Sequence, residues 1–179
     1  MNYFWTSDTH YGHENIIKYS NRPFKSLQDM NEQIIKRHNE RVKPGDIVFH
    51  LGDFCFRNSP GGKPGEGARK KANYYLSRLN GTIIILQGNH DKQNSTKSII
   101  KSAIIEHGKK KIFMTHRPKD FNSDFEINLV GHIHEKWKVK EIDNTLLINV
   151  GVDVWNFYPI TFNNIMSEYM KWKNKKRII

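Results

Sequence analysis

Residues 82–91 read Thr-Ile-Ile-Ile-Leu-Gln-Gly-Asn-His-Asp. The apolar run, rich in β-branched residues and preceded by the turn Asn80-Gly81, predicts a buried strand from Thr82 to Gly88. The polar segment that ends it, Gly88-Asn89-His90-Asp91, would arise by chance about 0.003 times in a chain of this composition. Ligands bind at the C-terminal ends of strands in α/β sheets, and four further clusters stand in the same relation to a predicted strand. Asp8-Thr9-His10 closes the aromatic-rich segment Asn2 to Asp8, and Gly52-Asp53 closes Asp46 to Gly52. His116 ends Lys111 to His116, and Gly131-His132-Ile133-His134 ends Ile127 to His132.

Between these strands the periodicity changes. Ser26 reads as an N-cap, and Leu27, Met30, Ile34, Ile35, His38 and Val42 recur near every 3.6 residues, predicting an amphipathic helix that stops before Pro44-Gly45. Residues 57–67, rich in Gly and Pro, predict a surface loop without the spacing of a nucleotide-binding P-loop. A helix is expected to run from there to about Leu79, and another from Ser95 to Ala103. The remainder reads as all-β, with strands Lys136 to Asp143 and Thr145 to Val152 about the turn Asp143-Asn144, and with hairpins joining the late strands. Helices between the early strands and hairpins between the late ones predict a mixed α/β domain of two packed sheets. No interdomain linker is evident, so residues 1–179 are expected to form a single domain with a solvated basic tail at 171–179.

Composition narrows the chemistry. The 179 residues carry 29 Lys+Arg against 18 Asp+Glu, a formal charge of +11. No apolar run approaches the roughly 20 residues of a membrane span, and Met1 to Asp8 lacks the order of a secretory signal, so no membrane association and a cytoplasmic location are expected. Cys55, the only cysteine, excludes an intramolecular disulfide and thiolate zinc sites; between Phe54 and Phe56 it reads as packing. Any metal is therefore held by nitrogen and oxygen, and nine histidines are available. Asp8 and His10, two apart on an extended segment, would share a side and grip one ion. Asp53 can bridge two cations. Asn89 offers a neutral oxygen, and His132 and His134, again sharing a side, can serve one ion each or the same one. This donor set suits Mn, Fe, Zn or Ni.

Taken in order, D-x-H, G-D, G-N-H-D, H and G-H-x-H resemble the motif set of the calcineurin-like metallophosphoesterase superfamily, from Asp8 to His134. The flanking FWTSDTHYGHENIIKYSNRPF and INVGVDVW are similar to its small single-domain bacterial and phage members, so the resemblance spans about residues 2–158. It implies a four-layer α/β/β/α sandwich with two mixed sheets and a metal site at the strand C-terminal ends. It also implies two divalent ions, manganese favoured over iron, zinc or nickel. The first ion would take Asp8, His10, Asp53 and His134; the second Asp53, Asn89, His116 and His132. His90 would donate a proton to the leaving oxygen and Asp91 would orient the His90 ring. Phosphate esters, with a phosphodiester or nucleotide-type substrate favoured, would be hydrolysed by direct attack of a hydroxide bridging the ions.

Outside the motif set, His13, Arg57 and Arg117 are candidate substrate contacts, and His50 reads as structural. Two other functions compete. A catalytically silent scaffold of the same fold should lack the acid histidine or some ligands, and none is missing here. A nucleic-acid-binding protein would use Lys109 to Lys111, the tail, and Lys136, Lys138 and Lys140, which on a strand share one face; lysines protecting an edge strand are the favoured explanation of the last set. The oligomeric state is not legible.

Overall fold

The computed structural model describes residues 1–56, 70–91 and 96–176. The glycine-rich segment 57–67, with Arg57, lies outside them. Strands β1 (Tyr3–Thr6), β2 (Ile47–His50), β3 (Thr82–Ile85) and β9 (Ile160–Thr161) form a sheet in the order β3-β2-β1-β9, in which only the β1–β9 pair is antiparallel. The second sheet takes the order β4-β5-β6-β8-β7, from β4 (Ser102–His107), β5 (Lys110–Thr115), β6 (Ile127–Val130), β7 (Val139–Ile142) and β8 (Thr145–Asn149). Its outer pairs are antiparallel and its central pairs, β5–β6 and β6–β8, parallel. The expectation of an α/β architecture with two mixed sheets is met.

Side chains alternate across the first sheet as a pleat requires. Trp5 and Phe49 point to the inter-sheet core, where they join Ile112, Met114, Ile127, Leu129 and Ile148, while Phe4, Val48 and Ile83 point to the opposite face. Helices α1 (Asn15–Tyr19), α2 (Leu27–Arg41) and α3 (Ala72–Leu76) gather in a separate apolar cluster with Phe54 and Val152. Helix α2 starts where its cap predicts, with Ser26 Oγ accepting from the Asp29 amide at 3.1 Å. Strand register brings the ends of β1, β2 and β3 level: Thr6 pairs with His50 and His50 with Ile85.

Several expectations are corrected. The strand at Thr82 lies at the sheet edge, half-buried rather than fully covered. No helix occupies 96–100, and Ser102–His107 pairs with β5 instead; its Ile104-Ile105 pair is better suited to a pleat, with Ile105 against the core and Ile104 exposed. Strands β5, β6 and β8 run parallel, so only β4–β5 and β7–β8 are hairpins. Nor is the remainder all-β: helix α4 (Phe162–Lys176) packs on β8 and β9 through Ile165, Tyr169 and Trp172, spaced four and three apart. The basic tail, as far as it is described, is the last turn of α4. Its Lys173 and Lys176 pair with Glu126 and Glu141, each at 2.6 Å. Strand β7 is an edge strand, but it begins only at Val139, so Lys136 is not on it, and Lys138 is engaged by Glu168 at 3.5 Å and the Trp155 ring at 3.6 Å. Among the described residues no helix is long and apolar enough to cross a membrane.

Candidate metal centre

All five motif clusters stand at the C-terminal ends of strands β1, β2, β3, β5 and β6, and the packing of the two sheets brings them together. Asp8, His10 and His134 offer donor atoms within 4.8 Å of one another, and so do Asp53, His116 and His132. Asp53 faces both groups: its Oδ2 lies 3.3 Å from His116 Nε2 and 3.7 Å from His10 Nε2. Asn89 Oδ1 is 2.9 Å from His116 Nε2, which puts the seventh predicted ligand beside the second group. His132 and His134 fall in different groups.

The local conformation that achieves this is not the extended one expected. Asp8, His10, Asp53, His132 and His134 all have positive φ, between 49° and 72°. Such backbone is uncommon for residues other than glycine, costs about 1–3 kcal/mol per residue, and concentrates at functional sites. Close backbone approach holds it in place. Gly52 has φ +93°, and a Cβ there would lie 2.6 Å from the Gly88 backbone. The Asp8 amide donates to Gly52 O at 3.0 Å, the His10 amide to Asp53 O at 3.0 Å, and the His132 amide to Asp8 Oδ2 at 2.9 Å.

Electrostatics separate the groups. Burial raises the Asp8 carboxyl above its usual range and lowers the His10 imidazole well below 6.5. Asp8 Oδ1 and both ring nitrogens of His10 are buried without a hydrogen-bond partner among the described residues. An unsatisfied carboxylate oxygen and imidazole cost about 1–3 kcal/mol each or more, and a cation between them removes that cost; the donors fit a metal. In the second group burial also pulls His116 down, but hydrogen bonding to Asp53 and the charges of Asp8 and Asp53 outweigh it and push His116 up to about 9. Burial pushes Asp53 up, yet His116 holds it well below the carboxylate range. His132, desolvated and beside His116, falls to about 4. The second group thus balances its carboxylate with a proton.

Contacts behind the ligands set their orientation. His116 Nδ1 lies 2.7 Å from Leu51 O, leaving Nε2 for the centre. His134 Nδ1 lies 3.1 Å from Asp153 Oδ2, and Asp153 is gripped by Arg22 through Nε at 2.8 Å and Nη2 at 3.0 Å. The buried Arg22 also donates to the carbonyls of Asp8, at 2.7 Å, and Thr9, at 3.0 Å. Arg22 and Asp153 were not singled out from the sequence, although both lie in the family-like stretches SNRPF and GVDVW. His90 is half-buried, its ring 5.8 Å from that of His10 and its amide donating to Asp53 Oδ1 at 2.9 Å. The described hydrogen bonds of Asp91 all come from backbone amides, those of Gly88 (2.7 Å), Asp53 (2.9 Å) and Phe54 (3.2 Å). They clamp one motif loop to another.

Of the other candidates, His13 is buried beside His10 with its ring stacked 4.2 Å from Phe56, and Arg117 lines a cavity next to His116 and Asn89. His50 is structural as expected, buried with Nε2 3.0 Å from Thr9 Oγ1. Cys55 is buried in the helix-side cluster.

Two sheets thus present carboxylates and imidazoles at adjoining strand ends, in two groups that could each hold a metal ion. The chain belongs to the calcineurin-like phosphoesterase superfamily, whose domain model matches residues 1–157. It is 35% identical over 175 residues to an uncharacterized protein of Methanocaldococcus jannaschii, covering 93% of this chain and 90% of that one. In structure it is similar to a protein of unknown function from Aquifex aeolicus (TM-score 0.68, 24% identity, 93% of this chain and 98% of that one). A looser likeness links it to Yfce, a phosphoesterase from E. coli (TM-score 0.47, 16% identity, 90% and 82% covered).

Proposed function

We propose that the protein is a binuclear phosphoesterase acting on phosphodiesters or nucleotide-type esters by direct attack of water. The observation that carries this reading is the place of Asp53, within 3.7 Å of ligand candidates from both groups. Asp8, His10, Asp53 and His134 would hold one divalent ion, and Asp53, Asn89, His116 and His132 the other; manganese suits these nitrogen and oxygen donors. When bound, such a pair supplies Lewis acidity to phosphoryl oxygens and lowers the pKa of water. Asn89 contributes an oxygen without cancelling charge. His90, half-buried with its ring 5.8 Å from that of His10, gives its proton to the departing oxygen, and Asp91 keeps the 88–91 loop against Asp53 so that His90 stays in reach.

Metal-stripped protein resupplied with Mn²⁺ should hydrolyse aryl phosphate diesters; absence of metal-dependent hydrolysis across mono- and diesters would favour the silent scaffold. His90→Ala should retain metal and lose about 10²–10⁴ in turnover on esters with poor leaving groups, with little loss on 4-nitrophenyl esters. Equal losses on both would remove His90 as the proton donor.

A further inference from the structure

A cavity of about 460 Å³ opens beside the second ligand group, lined by Asn89 and His116 together with Lys101, Phe113, Arg117 and Asp120. That volume falls within the range of small-molecule sites. Strand β5 builds its wall by alternation: Ile112 and Met114 are buried in the core, so Phe113 faces the other way, half-exposed. The Phe113 ring is backed by Phe125 at 5.7 Å, which steadies a flat apolar surface. Arg117 is equally distinctive. The other described arginines, Arg22, Arg37, Arg41 and Arg78, all donate side-chain hydrogen bonds, whereas Arg117 donates none among the described residues, and neither does Lys101. Two uncommitted cations and a ring therefore line one cavity that adjoins the phosphate centre.

An aryl phosphate or other monoester with a small arm has nothing to place there. We propose that the cavity is the subsite for the second arm of a phosphodiester and that this arm is nucleotidyl, its base against Phe113 and its own phosphate between Arg117 and Lys101. Asp120 would repel a phosphate placed next to it and accept hydrogen bonds from sugar hydroxyls or base N–H groups, which sets the direction of the arm. The inference rests on the phosphodiesterase reading and narrows its substrate class to nucleotides carrying a further phosphate.

The test compares bis(4-nitrophenyl) phosphate with 5′-phosphorylated dithymidine on the metal-loaded protein. For Arg117→Gln and for Phe113→Ala, the ratio of kcat/KM for the dinucleotide to that for the aryl diester should fall about tenfold or more, mainly through KM, and Arg117→Lys should recover part of the loss. Equal losses on both substrates, or none on the dinucleotide, would overturn the subsite. A second measurement separates this from failure of the hydrolase reading: thymidine 5′-monophosphate titrated into metal-free protein should shift NMR signals of Phe113 and Arg117. Shifts there without hydrolysis of either ester keep the nucleotide subsite and discard the hydrolase. Their absence discards the subsite, whatever the activity.

Discussion

The two halves of the candidate metal centre use the same residue types and solve the same problem differently. Around Asp8 and His10 the structure leaves buried donors unsatisfied, whereas around Asp53 and His116 it satisfies them with a close ion pair. The first half is preorganised by backbone contacts and by Arg22 and Asp153 from outside. The second is self-consistent without an ion, because a proton on His116 serves as a placeholder. A bound metal would relieve the first half and would have to displace a proton from the second.

The largest expected effect tests the residue common to both. Asp53→Asn removes the charge facing each group and leaves His116 without its partner; loss of a buried charge partner costs about 3–5 kcal/mol. Metal analysis should show both ions lost, and an Asp53→Asn protein retaining two would break the account. Asp153→Asn acts on the first half alone, by freeing His134 and leaving Arg22 poorly paired. Affinity for one ion should fall about 10–100-fold while the other is unchanged in a calorimetric titration; equal weakening of both would show that the halves are not separable.

Proton displacement gives the next effect. Because His116 is raised from 6.5 to about 9, its stabilisation of the metal-free protein is complete below 6.5 and is lost as pH rises toward 9. The Tm of metal-free protein should decline over that window, and metal binding near pH 7 should release about one proton from the second half. Calorimetry in buffers of different ionisation heat measures this, and zero release there would sink the placeholder. The smallest effect is expected for His13→Gln. His13 is lowered to about 4, by burial and then by His90, so it is neutral beside His10, and its removal should change kcat/KM only a few-fold.

How much of this was legible in the sequence depends on whether a feature is local. Gly88-Asn89-His90-Asp91 after an isoleucine run announces a strand and its functional end within ten residues, and the Ser26 cap announces α2. Helix α4 was hidden because Trp172 sits among lysines that look solvated, and its partners Glu126 and Glu141 lie far back in the chain. The strand at 102–107 was hidden because its identity comes from pairing with β5. In the site, the residues themselves listed the ligand types, and only the family resemblance divided them between two ions, because the turns that set His132 and His134 apart have positive φ, which no alternation rule foresees. Arg22 and Asp153 are the plainest case: their bond spans 131 positions, and neither neighbourhood alone carries metal chemistry.

The long reach of those contacts bears on how the molecule assembles. The His132 amide meets Asp8 across 124 positions, so the centre cannot exist until both sheets have formed and docked, and pairings of such high contact order come late in folding. Divalent ions should therefore act as a latch: they would slow unfolding markedly while hardly changing the refolding rate.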